Sequence, residues 1–179
     1  LLTANTMSTH SVRLPLYGLR SQFLHFMYEK TYPIYARISA RSRPQWQLNR
    51  DDLLQLPPGS LGQRVGQFLT GNQLDLLPGF ENHDVFHVML EYGLSAPEEV
   101  ELQWCLLGNG KRSAYAFLAA FTGAAFFPEY WGRLRRAFQK GRQLRTFHHW
   151  YYEYLLRENL VDLQHFLAGG ELRAEGADY

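Results

Sequence analysis

Apolar residues recur at intervals of three and four along most of the chain, and no stretch alternates for long enough to make a convincing strand. Leu19, Phe23, Phe26 and Met27 form a stripe with large aromatics that predicts a helix within Ser11–Tyr35, and Arg37, Arg41, Arg43 and Pro44 end it in a basic, turn-prone stretch. Leu56-Pro57-Pro58-Gly59-Ser60-Leu61-Gly62 reads as a loop, because its prolines and glycines suit neither a helix interior nor a central strand. Helical spacing resumes over Gln63–Thr70, with Val65, Phe68 and Leu69 on one side. A second loop, Leu76–Phe80, precedes a helix that carries His83, His87 and Leu90 and is expected to end near Gly93. Ser95-Ala96-Pro97-Glu98 is the signature of an N-terminal capping box; the helix it opens runs to Leu107, where Gly108-Asn109-Gly110 stops it. Further helices are expected over Lys111–Phe127 and Trp131–Arg145, followed by one long aromatic-rich helix over Thr146–Leu167. The pattern predicts an all-α fold, a single helical domain of about six to eight helices spanning residues 1–179. Residues 1–10 read as a disordered or non-native start, and 168–179 as a flexible tail.

Composition agrees: with 46% hydrophobic and 20% charged residues, the chain is neither disordered nor fibrous. The single cysteine, Cys105, excludes a disulfide scaffold and any CxxC zinc site, and its place among apolar neighbours predicts a buried, inert thiol. The apolar run Ala114–Phe127 is fourteen residues long, short of the roughly 20 a bilayer span needs. No cleavable leader follows from the N-terminal pattern, so the chain is expected not to be exported. The net charge of +1 hides four blocks: residues 1–50 carry +6, 51–101 carry −8, 102–145 carry +7 and 146–179 carry −4. Segregation of this kind predicts charged faces with different tasks.

The densest chemistry lies in the −8 block, in Glu81-Asn82-His83-Asp84-Val85-Phe86-His87 and Glu99. Residues four apart on a helix share a face, so His83 and His87 converge, while Asp84 falls about 100° from His83 and about 60° from His87. His87 lies six residues before Gly93 and Glu99 four after Ser95, which in a helical hairpin places them at similar heights, about 9 and about 6 Å from the turn. Two imidazoles with one or two carboxylates suit a divalent metal: zinc, or equally iron or manganese, since no thiolate fixes the choice. The alternative is a pair of hydrogen-bonded helix histidines beside an acidic surface. Asp84 stands where the zincin motif His-Glu-x-x-His has its longer acid, which fits a protease poorly.

His83-Asp84-x-x-His87, eleven residues and then Glu99 resembles the signature of the ubiquinone (coenzyme Q) biosynthesis protein 4 family. Leu56–Gly62 is similar to that family's upstream Leu-Pro-x-x-Ser-x-Gly segment, and Tyr151-Tyr152-Glu153 to its C-terminal Tyr-Tyr-Glu. The resemblance spans roughly residues 50–165. It implies an all-helical fold, zinc bound by His83, Asp84, His87 and Glu99, and catalytic roles for His83, Asp84 and His87. It also implies a prenylated quinone precursor or other isoprenoid lipid as ligand, with loss of the ring carbon-one carboxyl and hydroxylation of that carbon. Other quinone-biosynthesis proteins and a second copy of the chain are the implied protein partners. The implied place is the inner face of a bacterial inner membrane, or the matrix side of the mitochondrial inner membrane in a eukaryote. The same residues also fit a non-catalytic scaffold that presents prenyl lipids to partner enzymes, with a structural metal.

The remaining segments bear on the lipid reading. In Lys111–Phe127, Ala116, Ala119, Ala120, Gly123, Ala124 and Ala125 would let either another helix or an isoprenoid tail approach the backbone. Trp131–Arg145 carries Arg133, Arg135, Arg136, Lys140, Arg142 and Arg145 with no acid, and it predicts a face for an anionic membrane surface or a solvated flank of the acidic blocks. A sequence pI near 8.1 falls short of a nucleic-acid binder, so no nucleic-acid partner is expected. His148, His149 and Glu153, if helical, would stand near one another, yet packing with hydrogen-bonded polar tips explains them as well.

Overall fold

In the computed structural model, which describes Gln22 and residues 45–171, every regular element of that stretch is helical. Seven α-helices follow in order among the described residues: α1 Arg50–Leu54, α2 Leu61–Gly71, α3 Glu81–Leu90, α4 Ala96–Gly108, α5 Ala114–Phe126, α6 Trp131–Gln143 and α7 Leu160–Leu167. Short 3-10 turns occupy Pro128–Tyr130 and Tyr152–Leu155. The all-α expectation is met, while those for residues 1–10, for the helix within Ser11–Tyr35 and for the tail beyond residue 171 lie outside the described residues. Among the described residues no helix is long and apolar enough to cross a membrane.

Capping explains most of the boundaries. Asn49 accepts hydrogen bonds from the Asp51 and Asp52 amides, and Asp52 answers to the Asn49 amide, starting α1, an element the hydrophobic pattern alone does not predict. Ser60 caps α2 through the Gln63 amide. The expected box at Ser95 and Glu98 opens α4, with Pro97 in the tolerated first turn. Helix α3 stops at Leu90 rather than near Gly93, because Glu91 turns left-handed at φ 60° and the Tyr92 amide donates back to the His87 carbonyl.

Helix α4 is central. It packs most extensively against α6 and also against α5, while α2 joins α1 to α3 and α7 rests on α3. The α4–α6 crossing is set by two glycines: a Cβ on Gly108 would stand 2.1 Å from the Phe138 carbonyl oxygen, and one on Gly141 only 1.9 Å from that of Cys105. Just beyond, the buried Asn109 amide donates to the carbonyls of Gly141 and Arg145, both at 3.0 Å, and its oxygen accepts from the Phe147 amide at 2.9 Å. Leu61, Val65, Phe86, Leu102, Leu106 and Tyr152 meet in the main core, and Val100, Ala124 and Leu134 make a smaller one between α4, α5 and α6.

The predicted long helix Thr146–Leu167 does not form. Asn109 holds the Phe147 amide, and the Leu156 and Glu158 carbonyls accept from the Gly62 and Leu61 amides. Backbone groups that a helix would pair locally are thus spent across the fold, and Asn159 bridges to Ser60 and caps the shorter α7. Helical periodicity was present in this segment but tertiary partners outbid it.

Gly141→Ala is expected to destabilise the protein by about 2–3 kcal/mol, because the backbones at the crossing must separate. Asn109→Ala should cost about 3 kcal/mol through stranded buried partners. Gly71→Ala, at a position with open space around it, should leave stability unchanged or raise it by up to about 1 kcal/mol. Denaturant midpoints at unchanged slope measure all three.

Candidate metal centre

Helices α3 and α4 bring His83, His87 and Glu99 together, with one potential ligand atom from each lying within 4.8 Å of the others. His83 Nε2 stands 3.4 Å from Glu99 Oε2, and His87 Nε2 stands 3.2 Å from Glu99 Oε1. The two imidazoles pack edge to face with centroids 4.6 Å apart. Asp84 contributes no atom to this group; it lies close enough to His87 and Glu99 for its charge to act on them. The structure thus joins three of the four residues singled out by the sequence and leaves Asp84 at the margin.

Neighbours hold the rings in place. Phe68 of α2 stacks on His87 at 5.5 Å and 17°, and Phe80 meets His83 edge-on. His87 Nδ1 lies 3.1 Å from the Tyr92 carbonyl oxygen, so a neutral His87 donates there and keeps its Nε2 lone pair for the cluster. At the start of α3, buried Glu81 accepts from the Gly79 and Trp46 amides. At its end, Lys140 Nζ donates to the Leu90 carbonyl at 2.8 Å and Gln164 to that of Met89 at 3.1 Å. These supports come from residues far along the chain, and no local pattern announces them.

Burial alone would raise the Glu99 carboxyl, but the neighbouring imidazoles of His83 and His87 hold it well below the usual carboxylate range. Burial keeps His83 below its usual value despite Glu99. For His87, burial is outweighed by Glu99, the Tyr92 carbonyl and Asp84, which raise it. Burial pushes the Asp84 carboxyl up to about 7; His87 opposes the rise, and Glu99 and Glu81 add to it. In the metal-free cluster the environment thus favours an anionic Glu99, strengthens the hold of His87 on a proton and weakens that of His83.

The donor set passes a test of fit. His87 Nε2 is buried and makes no hydrogen bond, its contact with Glu99 being too poorly aligned. A tetrahedral ion with bonds of about 2.0–2.2 Å has ligand atoms roughly 3.3–3.6 Å apart; each histidine stands near that distance from a different Glu99 oxygen, and one donor atom from each of the three residues lies within 4.8 Å of the others. Two histidines and one carboxylate leave coordination positions open, as catalytic zinc and non-haem iron sites do.

Elsewhere the sequence candidates serve structure. Cys105 is buried, and burial pushes its thiol up to about 11. His148 Nδ1 sits 3.1 Å from the Asn109 carbonyl, and without a helix across 146–158 there is no face for His149 and Glu153 to share. On α5, Ala116, Ala120, Gly123 and Ala124 are buried, with Gly123 admitting Val100, so the small residues serve helix packing and leave Phe117, Leu118 and Phe121 outward. On α6, Arg133 Nε pairs with Glu101 at 2.7 Å and Lys140 caps α3, and just beyond it Arg145 bonds the Gly169 carbonyl; Arg135, Arg136 and Arg142 are exposed. Opposite charge blocks thus partly face one another.

No family model and no curated protein matches the chain. Among solved structures, the fold is similar to that of a Nostoc punctiforme protein described as a "putative ubiquinone biosynthesis protein", with a TM-score of 0.59 and 16% identity over 86% of this chain and 83% of that one. At that identity the likeness is one of fold.

Proposed function

We propose that His83, His87 and Glu99 hold a divalent metal, zinc by preference and iron or manganese by the same donor chemistry, and that the protein acts in ubiquinone biosynthesis on a polyprenylated hydroxybenzoate-type precursor. The observation that carries this reading is the convergence of three donor atoms, with the buried His87 Nε2 making no hydrogen bond although it stands 3.2 Å from Glu99. Support comes from the His-Asp-x-x-His and Glu99 spacing and from the fold it shares with the Nostoc protein. The reaction replaces the ring carbon-one carboxyl by a hydroxyl; carbon dioxide leaves, and the two-electron oxidation takes its oxidant, such as dioxygen, from outside the protein.

A bound divalent ion supplies Lewis acidity toward a ring carboxylate or phenolate oxygen. The chain's own groups do the rest. Phe68 and the Tyr92 carbonyl fix His87, and Phe80 limits the swing of His83. Asp84, beside the cluster and within electrostatic reach of His87 and Glu99, serves as the orienting acid or base. The outward Phe117, Leu118 and Phe121, with Trp131 and the exposed arginines of α6, form the face assigned to an anionic membrane, giving peripheral attachment. A second copy or another quinone-biosynthesis protein is the competing occupant of that face.

One observation favours a scaffold as the second reading: α3 and α4 touch over a short stretch, so a metal between them would brace the hairpin whether or not it reacts. Purified protein given metal and prenylated precursor separates the two, since turnover supports the enzyme and tight binding without product supports the scaffold.

His83→Ala and Glu99→Gln are each expected to lose most of the bound metal and all quinone production, with elemental analysis and mass spectrometry of co-purified lipid as readouts. Retention of both metal and product in His83→Ala overturns the reading. The pH dependence has a definite sign. His87, raised above 6.5 in the folded state, contributes stability that is fully present below pH 6.5 and lost as pH rises through its folded value. Asp84 acts the same way between 3.8 and about 7. His83, lowered below 6.5, favours the folded state as pH rises toward 6.5 and adds little slope above it. Metal-free protein should therefore lose thermal stability as pH rises above 6.5 through the folded-state value of His87, and His87→Gln should flatten that slope. Metal affinity should rise over the same interval, because His87 must shed its proton to bind.

A further inference from the structure

Gln103 follows Glu99 by four residues on α4, so the two side chains leave the helix on one face, about 40° apart and about 6 Å along the axis. They are the same length, with an amide in one where the other has a carboxylate. Gln103 is 4% exposed, and its Oε1 makes no hydrogen bond. A buried amide oxygen without a donor is uncommon and calls for a partner. The rest of α4 is committed elsewhere: Leu102 and Leu106 enter the main core, Val100 meets Gly123 and Trp104 bonds the Ala120 carbonyl on α5, and Glu101 and Gly108 face α6. By helical register Gln103 falls between the side of α4 that faces the histidines and the side that faces α5. Lys111, whose ammonium lies 5.3 Å from the Phe86 ring, acts electrostatically on His83 and so places positive charge near the cluster.

We propose that Gln103 is a positioning residue whose carbonyl oxygen accepts a hydrogen bond from a ligand hydroxyl when the ligand's acidic group sits at the His83–His87–Glu99 cluster. One helical turn matches the distance across a benzene ring from a carboxyl to a hydroxyl on the opposite carbon. The inference rests on the metal-dependent reading given above; what it adds is the residue that distinguishes a para-hydroxy acid from one whose hydroxyl is masked. A site built to pair a hydroxyl discriminates strongly against an analogue that cannot donate, since its own buried acceptor is then stranded.

The test uses the full chain loaded with zinc and two probes, a farnesylated para-hydroxybenzoate and its para-methoxy counterpart, with affinities measured by calorimetry. The protein is expected to prefer the hydroxy probe by at least about tenfold. Gln103→Leu and the near-isosteric Gln103→Met should bind both probes alike, keep their zinc, and unfold at the same or a higher temperature, because an unpaired buried amide has been removed. A merely structural glutamine would instead lower the unfolding temperature and leave the preference intact. Equal affinities in the unaltered protein, or a preference that survives both substitutions, overturns the assignment while the metal reading stands. Failure to bind zinc overturns the metal reading and this inference together.

Discussion

The position of α4 depends on how closely it can approach α6. Gly108 and Gly141 let two backbones meet where any side chain would collide with a carbonyl, and Asn109 then spends its whole amide on the last turn of α6 and the residues that follow it. A contact this tight has little slack, because interiors are packed to crystalline density and do not deform continuously. Everything α4 carries is placed by it: Val100 against α5, the apolar ridge of Leu102 and Leu106 in the core, and Glu99 opposite the two histidines.

Burial around Glu99 turns that placement into electrostatics. A carboxylate partly withdrawn from water is costly unless paired, and here two imidazoles stand against half-buried Glu99 from the neighbouring helix. They answer differently: burial weakens the hold of His83 on a proton, whereas Glu99, with the Tyr92 carbonyl and Asp84, strengthens that of His87. A cation in the proposed site would replace that proton with a charge that all three residues can share.

The sequence made some helix ends legible. Ser95 and Asn109 mark true boundaries, and the spacing of His83, His87 and Glu99 across a short turn anticipates their meeting, whereas the caps at Asn49, Ser60 and Asn159 are not read as such. Two features escaped it for the same physical reason. The segment from Thr146 to Asn159 has helical periodicity, but its backbone is claimed by Asn109, Leu61 and Gly62, more than eighty positions away in the last two cases. The small residues of α5 suit a lipid tail or a helix equally, and only the position of Val100 decides for the helix. Asp84 sits between these extremes: its angular position was readable, but its distance from the ligand atoms depends on the tilt between α3 and α4.

The carbonyl end of α3 is finished by Lys140 and Gln164. Both emerge from the ribosome well after His83, His87 and Glu99, since synthesis runs from the N-terminus and segments fold as their partners appear. The histidine–glutamate hairpin therefore waits on α6 and α7 before its supporting helix is fully anchored. For a nascent chain this sets an order of events: a truncated product lacking α7 would carry all three donors, with the two histidines on a helix missing the Gln164 anchor. Assembly of the site is a late step of biosynthesis although its residues are made early.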